Sequence, residues 1–241
     1  MESYSLTPFI RGKVLVYQPK IGYRFNLDSV LLAHFFQTNK KNAKIIDLGT
    51  GSGIIPVLIS LKYPHLQFYA VEIQKEFYQL AKKTFEKNNL NVNLINEDIK
   101  LLKKYFQSSY FDYVITNPPY LKEYSSENQN FLIAKSEVKA TIKDFIKISS
   151  YLLKNKGKFF GVFPSYRFVE VISYLTENRL ISKRLRFIHP TKNQKATHFL
   201  IEAQKGVKLG GETIENPLIV YKDTKNKIYS KEVKFILEKF V

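Results

Sequence analysis

The sequence contains no cysteine and only four histidines in 241 residues. Without cysteine, the chain can form neither disulfides nor thiolate metal sites, and this fits a cytosolic protein. The histidines do not cluster with the spacing of metal ligands, so we expect no metal site. No apolar run approaches the roughly 18 residues of a membrane span, and no secretory signal pattern opens the chain. We therefore expect a cytoplasmic protein with no membrane partner.

Acidic residues are scarce relative to basic ones. The chain has 38 Lys and Arg against 21 Asp and Glu, which gives a formal net charge of +17. A charge of this size speeds encounters with polyanions and favours contacts with phosphates. A genome biased towards Lys, Asn and Ile would also produce a lysine-rich surface. The charge alone therefore favours nucleic-acid binding without establishing it.

A glycine-rich turn, Asp47-Leu48-Gly49-Thr50-Gly51-Ser52-Gly53, separates two apolar stretches at 44–46 and 54–61. The pattern predicts a strand, a tight turn and a helix whose free N–H groups face a ligand. The spacing G-x-G-x-G differs from the dinucleotide fingerprint, and no G-K-[ST] follows as in a P-loop. Asp47 would repel a pyrophosphate but suits a cationic cofactor that carries an amino group. The turn resembles motif I of the class I S-adenosylmethionine-dependent methyltransferases, and the alternative is a tight turn without a ligand.

A second motif, Asn117-Pro118-Pro119-Tyr120, follows an apolar run at 111–116 that has the length of a strand. Two consecutive prolines stiffen the backbone and cannot continue a strand ladder. A rigid loop at the carboxyl end of a strand is where open α/β sheets build their sites. N-P-P-Y resembles motif IV of methyltransferases that modify adenine N6 or, in another branch, a glutamine side-chain nitrogen. The alternative is a Pro-Pro turn with a buried tyrosine.

The segment 18–33 distinguishes between the methyltransferase families that share these two motifs. It reads Gln-Pro-Lys-x-Gly-Tyr-Arg-Phe-x-x-Asp-Ser-Val-Leu-Leu-Ala. This is very similar to the N-terminal signature of the bacterial tRNA adenine-N6 methyltransferases, a family that modifies adenine 37 of valine tRNA 1. The resemblance covers most of the chain, and it implies that S-adenosylmethionine is the cofactor, tRNA is the partner, and the protein acts as a monomer.

Three alternatives stay open. One is an adenine-N6 methyltransferase for ribosomal RNA or DNA. Another is the branch that methylates glutamine in proteins, where a helical domain comes first; only 46 residues precede Asp47 here, too few for such a domain. The last is a non-catalytic RNA-binding module of the same fold, against which the intact Asp47, Glu72 and N-P-P-Y argue.

The alternation of apolar segments predicts a doubly wound α/β sheet. We expect strands at 67–71, 92–95, 111–116 and 158–163, a strand pair at 185–188 and 197–203, and an edge strand at 216–221. We expect helices from Asn26 or Asp28 to near Asn39, then at 74–88, 138–153, from a cap at Ser165 to about Glu177, and at 231–240, with a mobile loop at 121–137. The resemblance implies a Rossmann-like methyltransferase fold of seven strands with the last antiparallel. We expect one domain over 1–241, with an N-terminal hairpin extension within 1–26.

Candidate site residues follow from these motifs and from the resemblance. Asn117 and the Pro118 carbonyl can accept the two N6 hydrogens, Tyr120 can stack on the base, and no general base is evident. Glu72, at a strand tip, suits ribose hydroxyls, and Asp98 resembles the element that holds the cofactor's adenine. The predicted catalytic residues are Asn117, Pro118, Pro119 and Tyr120. The predicted cofactor-binding residues are Phe25, Asp28, Asp47, Gly49, Thr50, Gly51, Gly53, Glu72, Ile73, Asp98, Ile99 and Asn117.

A basic segment at 183–195 carries five Lys or Arg and no acidic residue. On a strand, Arg184 and Arg186 share one face, which we expect to be free for phosphates while Leu185 and Phe187 pack on the sheet. The alternatives are a solvated edge strand and an RNA surface on Lys13, Lys20 and Arg24. The predicted RNA-binding residues are Arg24, Arg184, Arg186, Lys192 and Lys195.

Overall fold

The computed structural model describes residues 4–21, 26–119, 140–223, 226 and 228–240. The strands are β1 (Tyr4–Phe9), β2 (Val14–Pro19), β3 (Lys44–Leu48), β4 (Gln67–Val71), β5 (Val92–Ile95), β6 (Phe111–Thr116), β7 (Leu153–Pro164), β8 (Leu180–His189), β9 (His198–Lys205), β10 (Thr213–Ile214), β11 (Leu218–Ile219), β12 (Tyr221–Asp223) and β13 (Ile228–Tyr229). The α-helices are α1 (Leu27–Phe35), α2 (Ile54–Lys62), α3 (Lys75–Lys87), α4 (Ile142–Leu152), α5 (Phe168–Glu177) and α6 (Lys231–Lys239), with 3₁₀ helices at Ile99–Lys104 and Ser165–Arg167.

The central sheet has the order β5-β4-β3-β6-β7-β9-β8, and the short strands β10 and β11 both pair with the outer edge of β8. All neighbours are parallel except β9, which runs antiparallel to both β7 and β8. The seven long strands and the antiparallel seventh strand confirm the expected Rossmann-like architecture. Of the two strand additions beyond β8, β10 was not predicted, whereas β11 lies within the edge strand expected at 216–221.

The strand order reverses between β3 and β6. From β3 the chain moves outward through β4 to β5, and then returns to place β6 on the other side of β3. Helices that follow neighbouring strands therefore leave in opposite directions, which opens a crevice at the carboxyl edge of the sheet, where the parallel strands end. Open α/β sheets bind their ligands at this switch point.

Two apolar clusters cover the two faces of the sheet. Neighbouring residues of one strand belong to opposite clusters: Ile45 packs with α1 and α2, whereas Ile46 packs with α4. Every residue of β6 is buried. A central parallel strand is covered by helices on both faces, so its residues are buried one after another instead of in alternation.

The N-terminal hairpin of β1 and β2 confirms the prediction of short paired strands, and it docks on α3. The Asn88 amide accepts from Leu15 N at 3.0 Å and donates to Leu15 O at 2.7 Å. The Thr84 hydroxyl accepts from Tyr17 N at 3.0 Å. Two helix side chains thus satisfy the open backbone edge of β2, which protects this edge from pairing with another chain.

Several predicted boundaries were wrong. Helix α1 ends at Phe35 rather than near Asn39, although its cap is Asn26 as expected. Ser165 does not cap a helix, because its hydroxyl donates to the Ala196 carbonyl and α5 begins only at Phe168. Strand β7 begins at Leu153, directly after α4. The predicted edge strand at 216–221 is divided into β11 and β12, and the predicted loop at 121–137 lies outside the described residues.

Candidate active site

The glycine-rich turn lies at the carboxyl end of β3, in the crevice of the switch point. All three glycines have positive φ, which a residue with a Cβ adopts at a cost. At Gly53, an added Cβ would also lie 2.6 Å from the Phe85 ring. At Gly51, the same Cβ would meet open space. The turn therefore packs tightly against α3 at Gly53 and leaves room for a ligand at Gly51.

Asp47 is buried beneath this turn, with 1% of its surface exposed. Neither carboxylate oxygen has a hydrogen-bond partner. Burial raises the pKa of Asp47 to about 7, the nearby Glu72 adds to this increase, and the Thr50 hydroxyl opposes it. An unpartnered buried carboxylate is costly unless a ligand satisfies it. The site is therefore suited to a ligand that brings a cation or hydrogen-bond donors.

Glu72 follows β4 and links the turn to the next helix. Its carboxylate accepts from Gly51 N and from Gln74 N, both at 2.9 Å. Burial raises the pKa of Glu72, and these backbone hydrogen bonds oppose the increase. Asn96 fixes the same segment by donating to the Glu72 carbonyl at 2.7 Å. The carboxylate is thus held at the mouth of the turn, as expected for an acidic group at a strand tip.

Three further predicted cofactor-binding residues follow β4 and β5 at the same edge. Asp98 is buried and caps the 3₁₀ helix by accepting from Lys100 N at 2.9 Å. Ile99 is buried behind it, whereas the side chain of Ile73 is about half exposed above the crevice. The structure therefore places Asp98 and Ile73 at the same edge as Glu72 and leaves Ile99 in the core.

The N-P-P segment begins beside the glycine turn. Leu48 of β3 pairs with Thr116 of β6, and the Thr116 hydroxyl donates to the Leu48 carbonyl at 2.8 Å. Gly49 and Asn117 therefore leave adjacent strands, whose axes are about 4.8 Å apart. Pro118 is buried and Pro119 is exposed. Arg24, Phe25 and Tyr120 lie outside the described residues.

Helix α1 contributes two groups to this edge. The Asn117 amide nitrogen donates to the hydroxyl of Ser29, which is buried, at 2.9 Å. Asp28 accepts from Asn26 at 2.7 Å, and one of its oxygens lies 3.9 Å from Nε2 of His198. Burial raises the pKa of Asp28, and His198 opposes the increase.

Sequence reasoning singled out neither Ser29 nor His198. Ser29 stands next to Asp28 within the N-terminal signature, so its position was a usable signal. His198 is 170 residues away from Asp28 along the chain. Only the pairing of β9 with β7, which places His198 opposite Pro164, brings it to this edge.

The expectation that Arg184 and Arg186 are free for phosphates was wrong. They do share a face of β8, but Arg184 pairs with Glu202 at 3.2 Å and Glu215 at 3.1 Å, and its guanidinium lies 3.8 Å from the Phe35 ring centroid. Arg186 pairs with Glu232 at 2.7 Å. These acidic partners lie on β9 and in the C-terminal segment. The arginines hold that segment against β8 and do not form an open basic surface.

Lys192 and Lys195 remain exposed, in the loop that connects β8 to β9 at the carboxyl edge. Neither forms an ion pair within the described part of the chain. Across the same residues, no group of acidic and histidine side chains could hold a metal ion. None of the helices described is long and apolar enough to cross a membrane.

The model of a known family matches residues 23–178, under the description "Methyltransferase small domain". This range contains the glycine turn, the acidic tip of β4 and the N-P-P segment. The chain belongs to the methyltransferase small domain family. S-Adenosylmethionine is the cofactor of this methyltransferase, and the unpartnered Asp47 carboxylate below an open glycine turn fits its amino group.

Curated relatives of the methyltransferase include a Pedobacter heparinus protein named tRNA1(Val) (adenine(37)-N6)-methyltransferase, 27% identical over 58% of this chain and 60% of the relative, less than two thirds of its length. A Flavobacterium psychrophilum protein of the same name is 22% identical over 90% of this chain and 92% of its own. A release factor glutamine methyltransferase from Staphylococcus aureus is 31% identical, but over only 39% of this chain and 33% of its own.

Two solved structures show the same fold as this methyltransferase. A predicted O-methyltransferase from Agrobacterium tumefaciens has a TM-score of 0.70 at 20% identity, over 88% of this chain and 96% of its own. The 16S rRNA N2 G1207 methyltransferase of Thermus thermophilus, solved with AdoMet and guanosine, has a TM-score of 0.62 at 16% identity, over 84% of this chain and 50% of its own.

Proposed function

We propose that this methyltransferase transfers a methyl group to the exocyclic N6 of adenine 37 in a tRNA. The observation that carries the proposal is the position of Asn117 beside the glycine turn, on a strand adjacent to the one that delivers Asp47. A cofactor and a target amine bound to these two strand ends would be in direct contact. The names of the tRNA-modifying relatives and the net charge of +17 support an RNA substrate.

The cofactor's parts match the polar groups along the crevice. Asp47 would hold the amino group, Glu72 the ribose hydroxyls, and the segment at Ile73 and Asp98 the adenine. Gly49, Thr50, Gly51 and Gly53 would line the turn. The bound cofactor supplies an electrophilic methyl group on a sulfonium centre, so the protein needs only to align the attacking nitrogen with it.

Asn117 and Pro118 would align that nitrogen. The adenine N6 lone pair is delocalised into the ring, so the free amine is a poor nucleophile. A side-chain oxygen of Asn117 and the backbone carbonyl of Pro118 can each accept one N6 hydrogen, which favours a pyramidal nitrogen. Fixing two bound reactants in contact geometry can lower the barrier by ~7–11 kcal/mol. The N6 proton can leave after transfer, so the proposal includes no general base.

The comparisons favour RNA over a glutamine side chain as the substrate. The similarity to the glutamine-modifying relative covers about a third of either chain, whereas the match to the Flavobacterium tRNA-modifying relative extends over 90% of this chain. A continuous match over 90% of the chain has to include β8, β9 and the loop with Lys192 and Lys195. The parts of the chain outside the cofactor crevice therefore also resemble an enzyme named for tRNA.

A substrate assay tests the proposal. The purified protein is incubated with tritiated S-adenosylmethionine and total tRNA, 16S and 23S rRNA, duplex DNA or release factor in parallel. We expect label in tRNA alone, recovered as N6-methyladenosine after nucleoside digestion. A valine tRNA transcript with adenine 37 replaced by guanine is the matched control and should accept no label. Label in a glutamine residue, in DNA or in another base would reject the proposal.

A further inference from the structure

The residues that follow β7, at 165–170, form a rim at the carboxyl edge of the sheet. Strand β7 is the neighbour of β6, the strand that leads to Asn117. Thr116 of β6 pairs with Gly161 of β7, and β7 continues for three more residues to Pro164. Three strand residues extend about 10 Å. Tyr166 follows directly in the 3₁₀ helix Ser165–Arg167. Tyr166 therefore lies beyond the level of Asn117, at the carboxyl edge of the sheet.

Two apolar side chains are exposed on this rim. Tyr166 is 73% exposed and Val169 is 79% exposed. Val169 follows Tyr166 by three residues and is the second residue of α5. Phe168, between them, instead packs into the core against Phe199 and Phe187. The core anchors the segment through Phe168 and makes no use of Tyr166 or Val169.

The loop that connects β8 to β9 is fastened to the same rim. Ser165 N donates to the Thr197 carbonyl at 2.9 Å, and the Ser165 hydroxyl donates to the Ala196 carbonyl. Within the loop, Nδ1 of His189 lies 2.7 Å from the Gln194 carbonyl. Lys192 and Lys195 are exposed on this fixed loop. Glu170, four residues after Tyr166, is paired with Arg167.

We propose that Tyr166, Val169, Lys192 and Lys195 form an RNA-binding rim, on which Tyr166 stacks against a base next to the target adenine and the lysines contact the flanking phosphates. The inference rests on the proposed function and adds to it the surface that holds the substrate. An adenine that leaves an anticodon loop exposes the faces of its neighbours, and an aromatic ring is the side chain that replaces such a stack. Among the described residues, an exposed ring next to a residue that is hydrogen-bonded to the loop with two exposed lysines matches single-stranded RNA.

Stacking and phosphate contacts leave different signatures in a salt titration. Stacking on one base is worth ~1–3 kcal/mol and involves no counterion, so Tyr166→Ala should weaken binding of an anticodon stem–loop by roughly 5- to 160-fold at every salt concentration. Tyr166→Phe, which keeps the ring, should restore most of that affinity. Lys192→Ala with Lys195→Ala should instead lower the slope of log K against log salt by about 1.4, since each single-strand phosphate contact contributes about 0.7.

Fluorescence anisotropy with a labelled stem–loop measures both effects, and calorimetry with S-adenosylhomocysteine checks that each variant is folded. The matched controls are Phe235→Ala, a half-exposed ring on α6, and Lys82→Ala with Lys87→Ala, two exposed lysines on α3. Both controls should bind RNA like the wild type. If the controls and the rim variants behave alike, or if the rim variants lose affinity only for a release-factor peptide, the rim is not an RNA surface.

The same experiment separates this inference from the proposed function. If the wild type methylates adenine 37 and the rim variants bind the stem–loop normally, only the rim is rejected. If the rim variants show the two signatures but no methyl group reaches N6, the proposed reaction is rejected and the RNA surface stands. A wild type that does not bind the stem–loop rejects both.

Discussion

Replacing Asp47 with asparagine should stabilise the ligand-free protein while weakening its affinity for the cofactor. The Asp47 carboxylate is buried without a hydrogen-bond partner, and its pKa is raised from 3.8 to about 7. Because the folded-state pKa lies above the unfolded value, the protein is most stable with Asp47 protonated, and this stability is lost as the pH rises from 3.8 to about 7. At 1.36 kcal/mol per pKa unit, the cost of ionising Asp47 in the fold approaches about 4 kcal/mol above pH 7.

Asparagine resembles the protonated carboxyl in shape and carries no charge, so it avoids this cost. Urea unfolding of the ligand-free protein at pH 5 and pH 8 measures the effect. We expect Asp47→Asn to exceed the wild type in unfolding free energy at both values, with an advantage about 2–3 kcal/mol larger at pH 8. Calorimetry should show weaker binding of S-adenosylhomocysteine by the variant, since the amino group of the ligand loses its anionic partner.

Asp112→Asn is the matched control with the opposite sign. Asp112 is the second residue of β6, at the amino end of the parallel strands. Its carboxylate pairs with Lys40 at 3.0 Å and with Lys154 at 2.8 Å. The pKa of Asp112 is lowered: burial raises it, but the hydrogen bonds from Lys154, Lys44 N and Lys40 together outweigh burial. The ionised Asp112 therefore stabilises the folded protein above pH 3.8, and this stabilisation is lost as the pH falls through the lowered pKa of Asp112 in the folded state. Asp112→Asn should therefore destabilise at pH 8. If Asp47→Asn also destabilises the ligand-free protein at pH 8, the carboxylate has a partner in the fold and the reasoning fails.

Three further predictions concern the turn, the target amine and the arginines. Gly53→Ala should destabilise the protein by about 2 kcal/mol or more, because the residue has a positive φ and the new Cβ would lie 2.6 Å from Phe85. Gly51→Ala also has a positive φ but open space around the new Cβ, so it should cost only about 1 kcal/mol. Thermal unfolding of the two variants compares these costs. Asn117→Ala should lower the rate of methyl transfer by ~10²–10³-fold while the affinity for the cofactor stays nearly normal. Single-turnover kinetics with tRNA measure this rate, and a rate near the wild-type value would contradict the prediction. Arg184→Ala should lower the free energy of unfolding by about 2–3 kcal/mol, which is less than the loss of a fully buried pair because Glu202 still pairs with Lys158. The salt dependence of RNA binding should stay unchanged. A flatter salt dependence would show that Arg184 contacts RNA.

The local motifs could be read from the sequence because their physics is local. An apolar run of strand length that ends at polar residues or prolines defines its own boundaries, so β4, β5 and β6 were predicted to the residue. The glycine turn, the acidic tip and the N-P-P segment follow successive strands of an alternating strand and helix pattern, which implied that they meet at one edge, since the ends of parallel strands lie together. The fold and the cofactor followed from these features and from the resemblance that they carry.

The fate of the basic residues depended on contacts that no local pattern encodes. Alternation on β8 correctly placed Arg184 and Arg186 on one face, but the sequence does not show that Glu202, Glu215 and Glu232 cover that face. Glu215 and Glu232 belong to a C-terminal segment whose docking on β8 joins residues 30 or more positions apart. The same holds for His198 beside Asp28 and for the exposure of Tyr166. The sequence by itself determined which chemistry the strand ends can hold. The tertiary structure alone decided which charged and aromatic side chains remain free for a substrate, because the burial and pairing of a side chain depend on what packs against it from distant parts of the chain.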